Sequence, residues 1–278
     1  MPTSNNHILV FDSGVGGLSI VEHIQQQLPH ASICYLADNA LHPYGLLKEQ
    51  MLIDRVVELV AHTVKQQQPD IVVIACNSAS TLVLPALRAE LNIPIVGVVP
   101  AVKPAAIQST TKVIGLLATP GTIARDYTDV LIKDFALDCT VISLGSNKLV
   151  QLVERKLSGE HIDLNDYLQV LEPFKQHPHW PKADTVVLAC THFPLVKQEL
   201  ALAAPHIKHW IDSGDAIARR VVQLKQQQNF QPQTDITTVR EHKNVALFTD
   251  INKIAEPLHH TLNNYGFKHI SHVYLPNN

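Results

Sequence analysis

The distribution of apolar and polar positions along the chain predicts a regular alternation of short strands and longer helices. Short continuous apolar runs rich in Val and Ile are followed by segments whose apolar residues recur at helical spacing. Such continuous runs are typical of strands covered on both faces, as in a parallel sheet flanked by helices. The pattern therefore predicts an α/β fold.

The same order of elements occurs twice along the chain. In the first half the predicted strands are 7–11, 32–37, 70–75 and 93–99, and the predicted helices are 17–28, 47–68 and 78–91. In the second half the predicted strands are 112–119, 139–145 and 183–190, and the predicted helices are 122–135, 147–157 and 193–204. This restart indicates an internal duplication. We expect two pseudo-symmetric domains, each a mainly parallel sheet flanked by helices, with the active site between them.

The last part of the chain is predicted to return to the first domain through a helix at 211–228. The predicted domains are residues 1–100 with 211–278, and residues 101–210. After residue 229 the chain is polar and then strand-like at 245–250 and 269–275, and the pattern gives this segment no role.

Composition narrows the class of protein further. The 278 residues are 46% hydrophobic and carry a formal net charge of −3. No Lys/Arg stripe is visible, which argues against nucleic-acid binding. No apolar run approaches the roughly 18 residues of a membrane-spanning helix, and no secretion signal is visible at the N-terminus. We expect a cytoplasmic protein with no membrane partner.

Ligands of open parallel sheets bind at the carboxyl ends of the strands, so the polar residues that follow each strand are the candidates for chemistry. The turn "DSGVGG" (12–17) follows the first strand. It matches neither the dinucleotide-binding nor the P-loop pattern. It is either an anion-binding turn or a tight turn whose glycines allow close packing.

Two of the four cysteines share one local setting. Cys76 in "VVIACNSAST" (72–81) and Cys190 in "VVLACTHFPL" (186–195) each end an apolar strand before a predicted helix, whose N-terminus lowers the pKa of a thiol. Cys34 and Cys139 lie within or at the start of strands and are expected to be packing residues. The absence of a CxxC pair argues against a zinc ribbon, and no metal site is predicted.

The chemistry of two equivalent thiols favours a nearly symmetric reaction. A disulfide oxidoreductase usually uses cysteines that are neighbours in sequence, and a cysteine hydrolase would leave the second thiol without a role. In racemisation one base removes the α-proton while a conjugate acid on the opposite face returns a proton. A duplicated fold supplies one group for each face.

The chain resembles a known family, the cofactor-independent glutamate racemases within the aspartate/glutamate racemase group. The resemblance covers residues 7–215. It rests on the motifs "FDSGVGGLS" (11–19), "YLAD" (35–38), "PYG" (43–45), "ACNSAS" (75–80), "LLATPGT" (116–122), "LVQLVE" (149–154) and "ACTHFPL" (189–195). Ser78 departs from the pattern, because the family often has Thr there, but either hydroxyl can make the same hydrogen bond.

The resemblance implies interconversion of L- and D-glutamate for peptidoglycan synthesis, without pyridoxal phosphate or metal. Cys76 would act on D-glutamate with Asp12 nearby, and Cys190 on L-glutamate with Glu154 and His192 nearby. The implied substrate-binding residues are Asp12, Ser13, Tyr44, Gly45, Asn77, Ser78, Thr119, Thr191 and His192. The structural alternatives are a packing residue at a helix N-terminus for His192 and a simple turn for 43–45. For Glu154 the alternative is a solvated helix face, which the residues alone favour.

Alternative functions stay open at the level of the sequence. A racemase of aspartate or another acidic amino acid would use the same thiols, and a regulatory relative would keep the fold without turnover. A redox sensor would need thiols that readily form a disulfide. Some members of the family need a cell-wall precursor nucleotide as activator, and others are regulated through dimer contacts. The expected state is a monomer or a homodimer.

Overall fold

The structure, a computed structural model, describes residues 7–229 and 243–274. The chain forms two compact units, one comprising the chain up to Val98 and from Gly214 onward, the other comprising Val99–Ser213. Among the described residues no helix is both long and apolar enough to cross a bilayer.

The described elements alternate as the hydrophobic pattern predicts. The strands are β1 His7–Asp12, β2 Ser32–Ala37, β3 Ile71–Ile74, β4 Ile95–Gly97, β5 Val113–Ala118, β6 Thr140–Gly145, β7 Thr185–Ala189, β8 His209–Ile211, β9 Val245–Phe248 and β10 His269–His272. The α-helices are α1 Leu18–Gln27, α2 Glu49–Gln67, α3 Asn77–Glu90, α4 Val102–Gln108, α5 Pro120–Ile123, α6 Asp126–Phe135, α7 Asn147–Leu157, α8 Leu164–Lys175, α9 Lys197–Ala203, α10 Gly214–Asn229 and α11 Glu256–Asn264. Short 3₁₀ turns cover Tyr44–Leu46, Trp180–Lys182, Phe193–Val196 and Ile251–Lys253.

The sheets of the two units share a four-strand order. The first unit has strand order β10-β9-β2-β1-β3-β4 and the second β6-β5-β7-β8. All neighbouring strands are parallel. The order β2-β1-β3-β4 thus recurs as β6-β5-β7-β8. The α/β fold with parallel sheets is confirmed.

The central strands are buried along their whole length, which explains their continuous apolar sequences. Every residue of β1, β3, β5 and β7 is buried, and separate hydrophobic clusters fill the two faces of the second sheet. β6 lies at an edge of its sheet and has exposed positions. Burial on both faces excludes the polar alternation of a half-exposed strand.

Several helices differ from the prediction. The helix predicted at 122–135 is divided into α5 and α6, because the Thr128 hydroxyl donates to the Thr122 carbonyl at 2.6 Å and the chain is extended at Arg125. The helix predicted at 193–204 begins as a 3₁₀ turn and becomes α-helical only at Lys197. The pattern missed α4, α8, α11 and the short strand β8.

The C-terminal segment extends the first sheet. β9 pairs with β2, and β10 pairs with β9 on its outer side. The hydrophobic pattern gave the chain after residue 229 no role, and the described part of it forms an extension of the first sheet. Residues 230–242 and 275–278, including the end of the predicted strand 269–275, lie outside the described residues.

Candidate active site

Each of the two sheets has a switch point between the second and third strands of the shared four-strand order, where consecutive connections leave in opposite directions. In the first unit this point lies between β1 and β3, where Phe11 pairs with Ile74. In the second it lies between β5 and β7, where Ala118 pairs with Ala189. Asp12 and Cys76 therefore flank one switch point, and Thr119 and Cys190 flank the other.

In the first unit Asp12, Ser13 and Cys76 form a buried cluster. The Ser13 backbone N–H donates to Asp12 Oδ1 at 2.6 Å, and the Ser13 hydroxyl lies 3.3 Å from the same oxygen. Ser13 Oγ is 3.6 Å from Cys76 Sγ, so the hydroxyl links the carboxylate to the thiol. Asp12 is fully buried, whereas Cys76 retains 6% exposure. A carboxylate and a thiol are thus joined through one hydroxyl at the carboxyl edge of the sheet.

The glycine-rich turn allows Asp12 to occupy this position. A Cβ at Gly17 would lie 2.9 Å from Asp12 Cβ and 3.0 Å from Tyr35 Cε2. The Tyr35 hydroxyl donates to the Gly14 carbonyl at 2.6 Å, which fixes the turn from the neighbouring strand. The packing interpretation of the turn is therefore correct for Gly17.

We expect Gly17→Ala to displace Asp12 and to lower the free energy of unfolding by about 1–3 kcal/mol, as overpacking does in tight sites. Urea denaturation gives the stability, and turnover by the folded protein reports the displaced carboxylate. Gly97→Ala is the matched control: the nearest atom to its Cβ would be Leu84 Cδ1, the end of a flexible side chain, at 2.5 Å. A larger effect of Gly97→Ala on turnover would contradict this interpretation.

Cys76 is followed directly by the first turn of α3. Cys76 is the N-cap residue of this helix, and Asn77 and Ser78 are its first two residues, both buried. Within the described chain, the buried Nδ2 of Asn77 has no hydrogen-bond partner. Most buried polar groups are paired, so a free amide donor beside the thiol is unusual and fits a ligand acceptor.

Tyr44 belongs to a buried network that the sequence did not predict. Tyr44 and Gly45 lie in a 3₁₀ turn, and the Tyr44 hydroxyl donates to Asp38 Oδ2 at 2.6 Å. Arg55 binds both oxygens of Asp38, at 2.9 and 2.8 Å, and the Thr249 hydroxyl donates to Oδ1 at 2.7 Å. The strand-end position of Asp38 was a signal. Arg55 lies within α2 and Thr249 follows β9, so neither was identifiable.

Both ionisable groups of this network have shifted pKa values. Burial alone would raise the pKa of Asp38, but the hydrogen bonds from Arg55, Tyr44 and Thr249 outweigh it and hold the pKa below its ordinary value. Burial and the negative charge of Asp38 raise the pKa of Tyr44 well above its ordinary value, with a smaller contribution from Cys76. Tyr44 is therefore a neutral phenol and Asp38 a carboxylate at neutral pH.

In the second unit the thiol has a cationic neighbour. Cys190 Sγ lies 3.8 Å from His192 Nδ1, and His192 Nε2 lies 2.8 Å from Glu154 Oε1. Burial would lower the pKa of His192, but hydrogen bonds with Cys190 and Glu154 and their negative charges raise it well above its ordinary value. His192 is therefore an imidazolium with both N–H groups directed to these partners.

The elements around this thiol are fixed by local caps. Ser146 Oγ accepts the Leu149 N–H and caps α7, the helix that carries Glu154. Thr119 Oγ1 accepts the Thr122 N–H and caps α5. Thr191, like Thr119, is buried beside the strand end. Thr119 thus has a structural role in addition to its position at the switch point.

The helix-terminus argument for Cys190 is wrong. A four-residue 3₁₀ turn, Phe193–Val196, follows Cys190 and His192, and the bonds Phe193 N–H to Cys190 O and Leu195 N–H to His192 O form this turn. So short a segment offers little dipole. The charge that acts on Cys190 is that of His192, 3.8 Å from its sulfur, whereas Cys76 does begin a long helix.

Comparison with known proteins identifies the class of this protein. A family model described as Asp/Glu/Hydantoin racemase matches residues 17–221. Together with the duplicated α/β topology and the two strand-end thiols, this match defines an enzyme of the isomerase class, an amino-acid racemase. The chain belongs to the Asp/Glu/hydantoin racemase family.

Curated and solved relatives match between 78% and 98% of the chain. The glutamate racemase of Shewanella loihica is 49% identical over 94% of each chain, and that of Vibrio cholerae is 51% identical over 78% of this chain and 80% of its own. The structure of Escherichia coli glutamate racemase with L-glutamate and the activator UDP-MurNAc-Ala is 40% identical, with a TM-score of 0.89 over 97% of this chain and 98% of that one. Glutamate racemase RacE1 of Bacillus anthracis is 28% identical, with a TM-score of 0.79 over 98% of both chains. The resemblance to glutamate racemases inferred from the motifs is confirmed.

Proposed function

We propose that the protein interconverts L- and D-glutamate by a two-base mechanism and supplies D-glutamate for peptidoglycan synthesis in the cytoplasm. The observation that carries the proposal is the equivalence of Cys76 and Cys190. Each follows the third strand of an identical four-strand order, and each has its own polar partner. The glutamate specificity is supported by the identities with curated glutamate racemases.

The proposed reaction transfers one proton at each face of the α-carbon. One cysteine acts as a thiolate: its sulfur forms an S–H bond, the Cα–H bond breaks, and the electron pair moves toward the α-carboxylate. The other cysteine donates its S–H proton to the opposite face and becomes the thiolate. Atoms and charge balance without a redox cofactor, because the two thiols exchange protonation states with each turnover.

The two thiols have different partners for this task. On the Cys76 side the carboxylate of Asp12 reaches the sulfur through the Ser13 hydroxyl. On the Cys190 side the imidazolium of His192, held by Glu154, lies against the sulfur and stabilises a thiolate there. In the proposed scheme Cys76 acts on D-glutamate and Cys190 on L-glutamate.

The carboxylates of glutamate need hydrogen-bond donors, and the strand ends are rich in them. Asn77 offers a buried amide with no protein partner among the described residues. Hydroxyl groups and a backbone turn complete the proposed set, which comprises Ser13, Gly45, Ser78, Thr119 and Thr191. Donors of this kind also stabilise the negative charge that builds on the α-carboxylate during proton removal.

Asn77→Ala tests this assignment. We expect KM for glutamate to rise about 10–100-fold, because the variant loses one hydrogen bond to a charged group of the substrate. The free energy of unfolding should hardly change, because Asn77 Nδ2 has no protein hydrogen bond to lose in the described structure. Steady-state kinetics and urea denaturation measure the two quantities. A large loss of stability at unchanged KM would show that Asn77 is structural.

The experiment that tests the proposed function follows L-glutamate in deuterated water with purified protein. Formation of D-glutamate carrying deuterium at the α-carbon supports the proposal, and the same assay with L-aspartate tests the alternative substrate. Faster turnover of L-aspartate than of L-glutamate would show that the shorter amino acid is the preferred substrate. Activity that appears only after addition of pyridoxal phosphate would contradict the two-thiol mechanism.

A nucleotide activator is a further part of the proposal. The Escherichia coli relative was solved with L-glutamate and the activator UDP-MurNAc-Ala. The high structural similarity supports a cell-wall precursor nucleotide as activator of this protein too. The racemase assay with and without UDP-MurNAc-Ala tests it: an unchanged rate at every glutamate concentration would contradict the proposal.

A further inference from the structure

We propose that Asp38 is a positioning residue that acts through Tyr44 and thereby holds the Tyr44–Leu46 turn in its binding conformation. This inference rests on the proposed function, because it assigns how one part of that site is kept in place. It begins with the hydrogen-bond capacity of the Asp38 carboxylate, which is fully buried.

The Asp38 carboxylate is saturated by protein donors. Oδ1 accepts from Arg55 Nη2 and the Thr249 hydroxyl, and Oδ2 accepts from Arg55 Nε and the Tyr44 hydroxyl. Four hydrogen bonds of 2.6–2.9 Å come from three separate segments of the first unit. A carboxylate with this set of donors is fixed in orientation, and a direct role in proton transfer would require it to give up these bonds.

The bond from Tyr44 restricts what this phenol can do. A phenol has one O–H to donate, and Tyr44 donates it to Asp38. Its oxygen therefore offers only lone pairs to any other group and does not donate to a substrate carboxylate. The contribution of Tyr44 to the site thus comes from the position of its turn, not from its hydroxyl proton.

Asp38 and Tyr44 are also connected to residues at the carboxyl end of β1. The Asp38 backbone N–H donates to the Asp12 carbonyl at 2.9 Å, and the Tyr44 ring packs 6.2 Å from that of Phe11. Tyr44 and Cys76 belong to one hydrophobic cluster. Loosening the phenol would therefore disturb a turn that lies beside the residues around Cys76.

Two variants separate positioning from general stability. Tyr44→Phe removes the hydroxyl that Asp38 accepts and keeps the ring. Thr249→Val removes another hydrogen bond of the same carboxylate, together with the acceptor of the Ala40 N–H, and leaves the bond from Tyr44 to Asp38 in place. We expect Tyr44→Phe to raise KM for glutamate about tenfold with little change in kcat. A change of this size corresponds to the loss of roughly one hydrogen bond. Thr249→Val should lower stability at unchanged KM.

Hydrogen exchange gives a second readout that needs no turnover. The Leu47 N–H donates to the Tyr44 carbonyl at 3.1 Å, so its exchange reports opening of the turn. We expect Tyr44→Phe, but not Thr249→Val, to speed this exchange about tenfold. Asp38→Asn combined with Tyr44→Phe should raise KM no further than Tyr44→Phe alone, because the two residues act as one unit.

Each outcome has a definite meaning. Unchanged KM and unchanged Leu47 exchange in Tyr44→Phe would overturn the inference, as would equal effects of Tyr44→Phe and Thr249→Val. If Asp38→Asn leaves Arg55 unpaired and does not fold, the comparison of the two milder variants still decides. Faster exchange in Tyr44→Phe of a protein whose wild type does not racemise glutamate would support the positioning role and overturn the proposed function alone.

Discussion

Replacing either strand-end thiol by Ala should abolish racemisation. Each thiol in the proposed mechanism is an acid or base that contributes about 10²–10⁴-fold, and neither alanine variant has a substitute group at that position. We therefore expect Cys76→Ala and Cys190→Ala each to lower kcat/KM at least about 10³-fold in both directions. Chiral chromatography of glutamate formed from either enantiomer measures this loss.

Deuterium incorporation at the α-carbon shows which proton transfer each variant retains. A single remaining thiolate can remove the α-proton from one enantiomer and return deuterium to the same face, so exchange without inversion is the signature of a half-active site. Cys139→Ala is the matched control, because Cys139 is partly exposed, directly precedes the edge strand β6 and has its thiol bonded to Asp138. Wild-type racemisation by either active-site variant would contradict the two-base mechanism.

The second large effect concerns the cation beside Cys190. We expect His192→Asn to lower kcat/KM for glutamate about 10²-fold, because it removes the charge that stabilises the thiolate. The two enantiomers have equal free energy, so kcat/KM must fall equally in both directions. The individual values of kcat and KM should diverge between the directions, because the charge of His192 acts on Cys190, the thiol proposed to act on L-glutamate.

Glu154→Gln is a milder change than His192→Asn, because it leaves the His192 ring in place. It keeps the shape and an acceptor for His192 Nε2 but removes the charge, so the pKa of His192 should fall toward its ordinary value. NMR titration of the His192 ring measures the pKa directly. An unchanged pKa in Glu154→Gln would show that Glu154 does not set the charge of His192.

The sign of the pH dependence follows from the raised pKa. The stability that the His192 imidazolium contributes is present in full below its unfolded pKa of about 6.5 and is lost as the pH rises through the folded value. In Glu154→Gln this loss should occur at lower pH. Urea denaturation of the wild type and of this variant across neutral to alkaline pH tests the sign.

The sequence predicted the alternating α/β organisation because buried parallel strands need continuous apolar residues. β1, β3, β5 and β7 were therefore visible in the pattern. β8 was not, because His209–Ile211 lies between Lys208 and Asp212 and belongs to no continuous apolar run. α5 and α6 were merged because the break between them depends on a hydroxyl-to-carbonyl bond from Thr128. The attachment of β9 to β2 is a long-range pairing that no local pattern encodes.

For the candidate site, position at a strand end was an informative signal. It selected Asp12, Cys76 and Cys190, whose neighbours in space follow from the order of strands. The assignment of Glu154 came from the family resemblance alone, since its contact with His192 joins α7 to the strand-end turn. Arg55 and Thr249 were missed because they reach Asp38 from a helix and from the C-terminal segment.

The discontinuous first unit has a consequence for the order in which the protein is made. The second unit is one contiguous stretch, Val99–Ser213, inserted into the first, and it leaves the ribosome complete before the first unit can close. Pairing of β9 with β2 joins Val245 to Cys34, a long loop whose closure is slow. Thr249 follows β9, so the last donor reaches the buried Asp38 carboxylate only after the whole second unit has been synthesised.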